Sequence, residues 1–138
     1  MTNVICYYIS HLLIKYFYFI NTMTFKMKFL YFAKLKEIIQ KQSQEIILKN
    51  DLPNEKKFQI FISERTSFLN TQLKLRIKIR DLFEIVKEEN KQFKSELDKL
   101  LKSCLLAIND EYINDDMELE IELNEGDEIS ILPPISAG

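Results

Sequence analysis

The first apolar stretch runs from Val4 to Ile20, carries no acid, and is broken only by Ser10, His11 and Lys15. A membrane span needs about 20 predominantly apolar residues, so this run, with a lysine inside it, does not favour one. A secretory signal would show a basic start and a small-residue cleavage site, and neither stands at Met1-Thr2-Asn3 or around Asn21-Thr22. The arginines of a transit peptide are also missing. Residues 1–26 therefore read as an apolar N-terminal extension, a leader or a segment translated from upstream of a start at Met23 or Met27. A membrane or organelle role is the competing reading.

From Met27 the pattern changes. Met27 to Ala33 is a short apolar and aromatic run, which predicts a buried first strand. Ile46, Ile47 and Leu48 suggest its hairpin partner, and Asn50-Asp51-Leu52-Pro53-Asn54 a turn. Phe58, Ile60 and Ile62 alternate, as do Leu73, Leu75 and Ile77, so one of these segments should join the sheet and the other belong to an insertion at about 50–72. Ile79, Leu82, Phe83 and Val86 fall on one helical face and predict the main helix, although Lys78 is a poor cap for its start. Phe93, Leu97, Leu100 and Leu101 continue that spacing. Leu105 to Ile108, a turn at Asn109-Asp110, and Tyr112-Ile113 form a hairpin. Met117, Leu119, Ile121 and Leu123 alternate with Glu118, Glu120 and Glu122, the pattern of a strand with one solvated face. Gly126-Asp127 turns the chain into a last strand over Glu128 to Leu132.

Composition narrows the chemistry. With 138 residues, 46% hydrophobic and 29% charged, the chain fits one self-supporting domain, here residues 27–138, without staples. A net charge of −2, with bases interleaved among acids, leaves no nucleic-acid footprint. Cys6 and Cys104 stand far apart and His11 is the one histidine, so zinc and Cys/His catalysis have no ligand spacing to rest on. Cys104, inside an apolar run, reads as a core residue. The alternating glutamates read as a solvated face rather than an acid and base pair.

The end of the sequence is different in kind. Pro133-Pro134 cannot extend a ladder, because proline has no N–H to donate. From Leu132 to Gly138 an extended tail reaches about 20 Å. Ile135, Ser136, Ala137 and Gly138 would pass a narrow channel, and a terminal glycine carboxylate is the least hindered acyl group a chain offers. Composition alone allows a second reading, a frayed end.

Three blocks in order then resemble one family. They are Phe29-Leu30-Tyr31-Phe32-Ala33-Lys34 with Glu37-Ile38, Leu106 to Ile113, and Leu123-Asn124-Glu125-Gly126-Asp127-Glu128-Ile129-Ser130-Ile131-Leu132-Pro133-Pro134-Ile135-Ser136. Over residues 27–138 the chain resembles the small subunit of molybdopterin synthase, the MoaD-type sulfur carrier. The resemblance implies an α+β fold, a ubiquitin-like β-grasp with a mixed sheet packed on one main helix and an extended C-terminal tail. That family ends in Gly-Gly, where this chain has Ala137-Gly138. Alanine gives up easy access to positive φ, which costs roughly 1–2 kcal/mol if the tail must bend there.

The activity implied is a carrier cycle. A ubiquitin-activating-like enzyme uses ATP to make the Gly138 acyl-adenylate, a sulfur donor displaces AMP, and the resulting thiocarboxylate gives its sulfur to cyclic pyranopterin monophosphate. No cofactor is expected to stay bound, and no metal. The implied partners are the large MoaE-type subunit, in a heterotetramer, and the activating adenylyl and sulfurtransferase enzyme; the implied location is the cytosol. Phe32 and Leu132 correspond to partner-facing sheet residues, and Pro133, Pro134, Ile135, Ser136, Ala137 and Gly138 to the inserted tail. Catalytic side chains should belong to the large subunit. Two alternatives stay open: a carrier for thiamine synthesis or tRNA thiolation, and a ubiquitin-like interaction module without sulfur chemistry.

Overall fold

The computed structural model describes residues 2–21, 23–50, 57–65, 71–113 and 116–134. Helix α1, Thr2–Asn21, leads into strand β1, Thr24–Tyr31. β1 begins three residues earlier than the apolar pattern suggests, and Met23 and Phe25 sit in the core rather than with the extension. Its alternation, with Phe25, Met27, Phe29 and Tyr31 inward, is masked in the sequence because the neighbouring extension is also apolar. Residues 3–16 of α1 are exposed. Among the described residues, no helix is long and apolar enough to cross a membrane.

A short helix α2, Ala33–Ile39, follows, in a segment to which the sequence pattern assigned no element. It is about two turns long, too short for periodicity to reveal, and it is held by burying Leu35 and Ile39. Strand β2, Ser43–Lys49, then returns antiparallel to β1 as expected, with Met27 opposite Ile46.

Strands β3, Phe58–Arg65, and β4, Thr71–Lys78, correct the expected assignment. Neither joins the main sheet. They pair with each other, and β4 also pairs with β7, Glu120–Asn124, to make a separate three-stranded sheet in the order β3-β4-β7. β7 is also shorter than its alternation suggested, because Met117 and Glu118 form a turn.

Helix α3, Ile79–Glu89, buries Ile79, Leu82, Phe83 and Val86 as their spacing predicts. Lys78 is its N-cap and makes no side-chain cap bond. Its first two N–H groups instead donate to the Leu119 and Met117 carbonyls, so the turn before β7 caps the helix. Helix α4, Lys94–Leu100, lies between two 3-10 turns and buries Leu97.

The hairpin of β5, Leu105–Ile108, and β6, Glu111–Tyr112, turns at Asn109 and Asp110, both with positive φ (50° and 69°). Such a two-residue turn suits Asn and Asp. Strand β8, Glu128–Leu132, closes a five-stranded mixed sheet in the order β2-β1-β8-β5-β6, parallel to β1 and antiparallel to β5. Asn109 ties the ends together: its side chain donates to Asp127 and accepts from the Glu128 N–H, both at 3.0 Å. Gly126, at φ +87°, supplies the left-handed step that this turn requires. One core joins both sheets with α2, α3 and α4, with Phe25, Phe29, Tyr31, Leu75, Leu82, Leu97, Ile129 and Ile131 fully buried.

Candidate functional site: the outer face of the mixed sheet

Strand alternation sends Phe29, Tyr31, Ile129, Ile131, Leu106 and Ile108 inward and leaves their neighbours on the other face. The register places Leu30 and Ala107 on either side of Ser130, Tyr112 beyond Ala107, and Leu105 beside Leu132. Tyr31 is level with Ile131, and Phe32 continues in extended conformation, so Phe32 and Leu132 come level at the same end of the sheet. Phe32 and Leu105 are each 42% exposed and Tyr112 71%. Leu30, Leu132 and Pro133 are half-buried, and Pro134 is exposed. The middle of this face carries the small residues Ala107 and Ser130, both buried, and larger apolar residues flank them.

The two sheet residues singled out from the sequence, Phe32 and Leu132, are thus brought together, with Pro133 and Pro134 continuing from the second. Ile135, Ser136, Ala137 and Gly138 lie outside the described residues. Leu30, Leu105 and Tyr112 were missed as members of this face. Their signal was present: Leu105 to Ile108 is apolar at every position, and a strand apolar on both sides has two faces to cover.

Among the described residues, the apolar patch of this face carries no thiol or histidine. Tyr31 lies beneath it on the core side, donates to the Gln44 side chain at 2.7 Å, and burial raises its pKa above the usual phenol value. Asn90 donates to the same Gln44 oxygen at 3.0 Å and to the Val86 carbonyl at 2.8 Å, which ties β1, β2 and the end of α3. Cys104 is buried as expected, its thiol donates to the Leu100 carbonyl, and burial pushes its pKa to about 11, which keeps it protonated and unreactive. Among the described residues, no group of three His, Cys, Asp or Glu could hold a metal ion. The arrangement suits docking, with a strand that runs out beside the apolar patch.

A mixed sheet in which the last strand lies parallel to the first, with α3 packed beneath it, defines a ubiquitin-like β-grasp protein. The HVO 2177 protein of Haloferax volcanii, known from its solution structure, shares this fold at a TM-score of 0.51 and 15% identity, over 83% of this chain and 88% of that one. The chain belongs to the ThiS family, which matches residues 67–138. It is 36% identical over 116 residues to the molybdopterin synthase sulfur carrier subunit of Dictyostelium discoideum, covering 84% of this chain and the whole of that one. The subunit of the same name from Phaeosphaeria nodorum is 38% identical over 66 residues, 45% of this chain and 66% of the relative.

Proposed function

We propose that this chain is the sulfur-carrying small subunit of a molybdopterin synthase, acting in the cytosol through the carboxylate of Gly138. The observation that carries the reading is the 36% identity along the whole length of a molybdopterin synthase sulfur carrier subunit. The course of β8 supports it, since this strand is held in the sheet centre and leads through Pro133 and Pro134 towards Gly138.

The chemistry follows from the acyl group. A carboxylate is a poor acyl donor because it has no good leaving group, so a partner enzyme first joins the Gly138 carboxylate to AMP from ATP and releases pyrophosphate. A sulfide-level sulfur nucleophile then attacks the acyl carbon, AMP leaves with the bonding pair of the broken C–O bond, and loss of the sulfur's proton leaves a thiocarboxylate. The large subunit of the synthase, in a heterotetramer, receives Pro133 to Gly138 in its pocket while Phe32, Leu105, Tyr112 and Leu132 dock on its surface. There the sulfur passes to cyclic pyranopterin monophosphate and water restores the carboxylate. This chain is the co-substrate, and the groups that move protons in that step belong to the large subunit.

Intact-protein mass spectrometry tests the reading. After incubation with ATP, the activating enzyme and a sulfur donor, the chain should exchange one oxygen for sulfur, and the product should yield molybdopterin only with the large subunit present. An unchanged mass, under conditions that thiocarboxylate the Dictyostelium carrier, would overturn it.

A further inference from the structure

On the far side of α3 from its buried stripe lies a groove of about 360 Å³, bounded by Asp81, Glu84, Ile85, Glu88 and Glu89 and, across it, by Leu48, Lys57 and Phe58. A second hollow of about 510 Å³ continues it and shares Asp81, Glu84, Lys57 and Phe58. Asp81 stands where the two meet. It is only 6% exposed, and among the described residues no hydrogen-bond donor or cation pairs with its carboxylate.

Of the cations nearby, Arg76, Lys78 and Arg80 are already used, and Lys57, on the opposite wall of the groove, makes no ion pair with Asp81. Arg76 holds Glu122 at 2.8 Å, Lys78 holds Glu118 at 3.2 Å, and Arg80 binds Glu118 as well. The Ile79 and Arg80 N–H groups at the start of α3 are taken by Met117 and Leu119. Glu84 is paired with Lys87 at 2.9 Å, and Glu88 with Lys91 at 3.8 Å. What remains is a nearly buried carboxylate without a partner, in a groove with four acids and one base among its lining residues, over the apolar side chains of Leu48, Phe58 and Ile85. A ligand that satisfies both parts has a cationic head and an aliphatic stem.

We propose that this groove receives a lysine or arginine side chain from a partner protein, its charged head on Asp81 and its stem along Leu48, Phe58 and Ile85. A long basic side chain fits both requirements because its methylenes cover apolar surface while its head seeks an anion. A bare metal ion does not fit, since no three such ligands converge among the described residues. The groove lies between α3, β2 and β3, so the site is separate from the outer face of the mixed sheet and does not depend on the sulfur-carrier reading.

The test uses the full chain, labelled for amide NMR, and two probe peptides: acetyl-Leu-Arg-Leu-amide and its citrulline counterpart, which has the same shape without the charge. The arginine peptide should shift the Asp81, Glu84 and Ile85 amides saturably, and the citrulline peptide should bind at least tenfold more weakly. Asp81→Asn should weaken the arginine peptide by a similar factor, and Glu84→Gln by less. Equal binding of the two peptides to the wild-type chain overturns the proposal whatever the variants do. So does the absence of saturable shifts on α3, or full arginine-peptide binding by a folded Asp81→Asn.

Discussion

The mixed sheet and the three-stranded sheet bury their inner faces in one core, Ile129 and Ile131 from the first meeting a cluster that includes Leu75, Ile77 and Leu123 from the second. Their outer faces differ at one end: the mixed sheet also carries Lys26, Lys28 and Glu45 outside, with Lys26 paired to Glu45 at 3.2 Å, but towards the departure of β8 it turns apolar. Across β4 and β7, Lys74, Arg76 and Lys78 face Asn124, Glu122 and Glu120, and Arg76 also lies 4.8 Å over the Phe61 ring from β3. Ion pairs tie that face, with Arg76 to Glu122 at 2.8 Å and Lys78 to Glu118 at 3.2 Å. Across β1, β8, β5 and β6 the corresponding positions hold Leu30, Ser130, Ala107 and Tyr112, with Phe32, Leu132 and Leu105 at the end where β8 departs. Exposed ion pairs contribute little to stability but keep a face in water; an apolar patch on an otherwise charged surface marks a place for another protein. Under the proposed function, the difference fits a docking role for one sheet and a supporting role for the other.

The largest effect expected lies at the end of the tail. Removing Gly138, or adding residues after it, should abolish sulfur transfer in a reconstituted synthase and leave the thermal midpoint unchanged. Charge-reversed Arg76→Glu on the second sheet should leave transfer intact. Transfer by the shortened chain, or its loss in Arg76→Glu, would break the division between the sheets. Next comes the shared core. Phe29→Ala should destabilise the fold by about 3–5 kcal/mol, since Phe29 is fully buried in β1. Denaturant unfolding followed by amide signals from both sheets should give one midpoint. Two midpoints would mean that each sheet has a core of its own.

How much of this was visible in the sequence depended on the distance over which each decision is made. The β5–β6 hairpin and the β8 entry were legible because Asn109-Asp110 and Gly126-Asp127 carry their turn chemistry locally. The main helix was legible because four residues spaced along one face suffice. Partner choice was not. β4 finds β7 forty-six residues away, as Arg76 to Glu122 shows, and nothing local to either strand names the other. A cue was available in principle, since Lys74, Arg76 and Lys78 alternate as bases while Glu118, Glu120 and Glu122 alternate as acids. The solvated face was anticipated, and its cross-strand partner was overlooked. At the docking face, Phe32 and Leu132 entered only through family resemblance. No spacing rule brings residues one hundred positions apart level with each other; the parallel pairing of β1 and β8 does that.

A smaller effect sharpens the docking assignment. Phe32→Ala and Leu105→Asp remove exposed apolar surface, so each should lower affinity for the large subunit by about 1–2 kcal/mol, roughly five- to thirtyfold, read by titration calorimetry. Their thermal midpoints should stay close to wild type. A matched Lys74→Gln on the second sheet should change neither quantity. If Lys74→Gln weakened the complex as much as Phe32→Ala, the partner would be covering both faces.

The smallest effect concerns acid. The hydrogen bond from Arg76, with its charge and that of Lys74, holds the Glu122 carboxyl below the usual glutamate value of 4.5. A depressed folded pKa means that the unfolded chain takes up the proton first as pH falls. The contribution of Glu122 is therefore complete above that usual value, and it is lost as pH drops through the folded one. The two side chains are 39% and 45% exposed, so water screens the pair, and the loss should be slight and should fade in high salt. Thermal midpoints measured from neutral pH down through the carboxylate range should fall a little less steeply in Glu122→Gln than in wild type. An identical slope would leave the ladder with a solvating role and no part in holding β4 to β7.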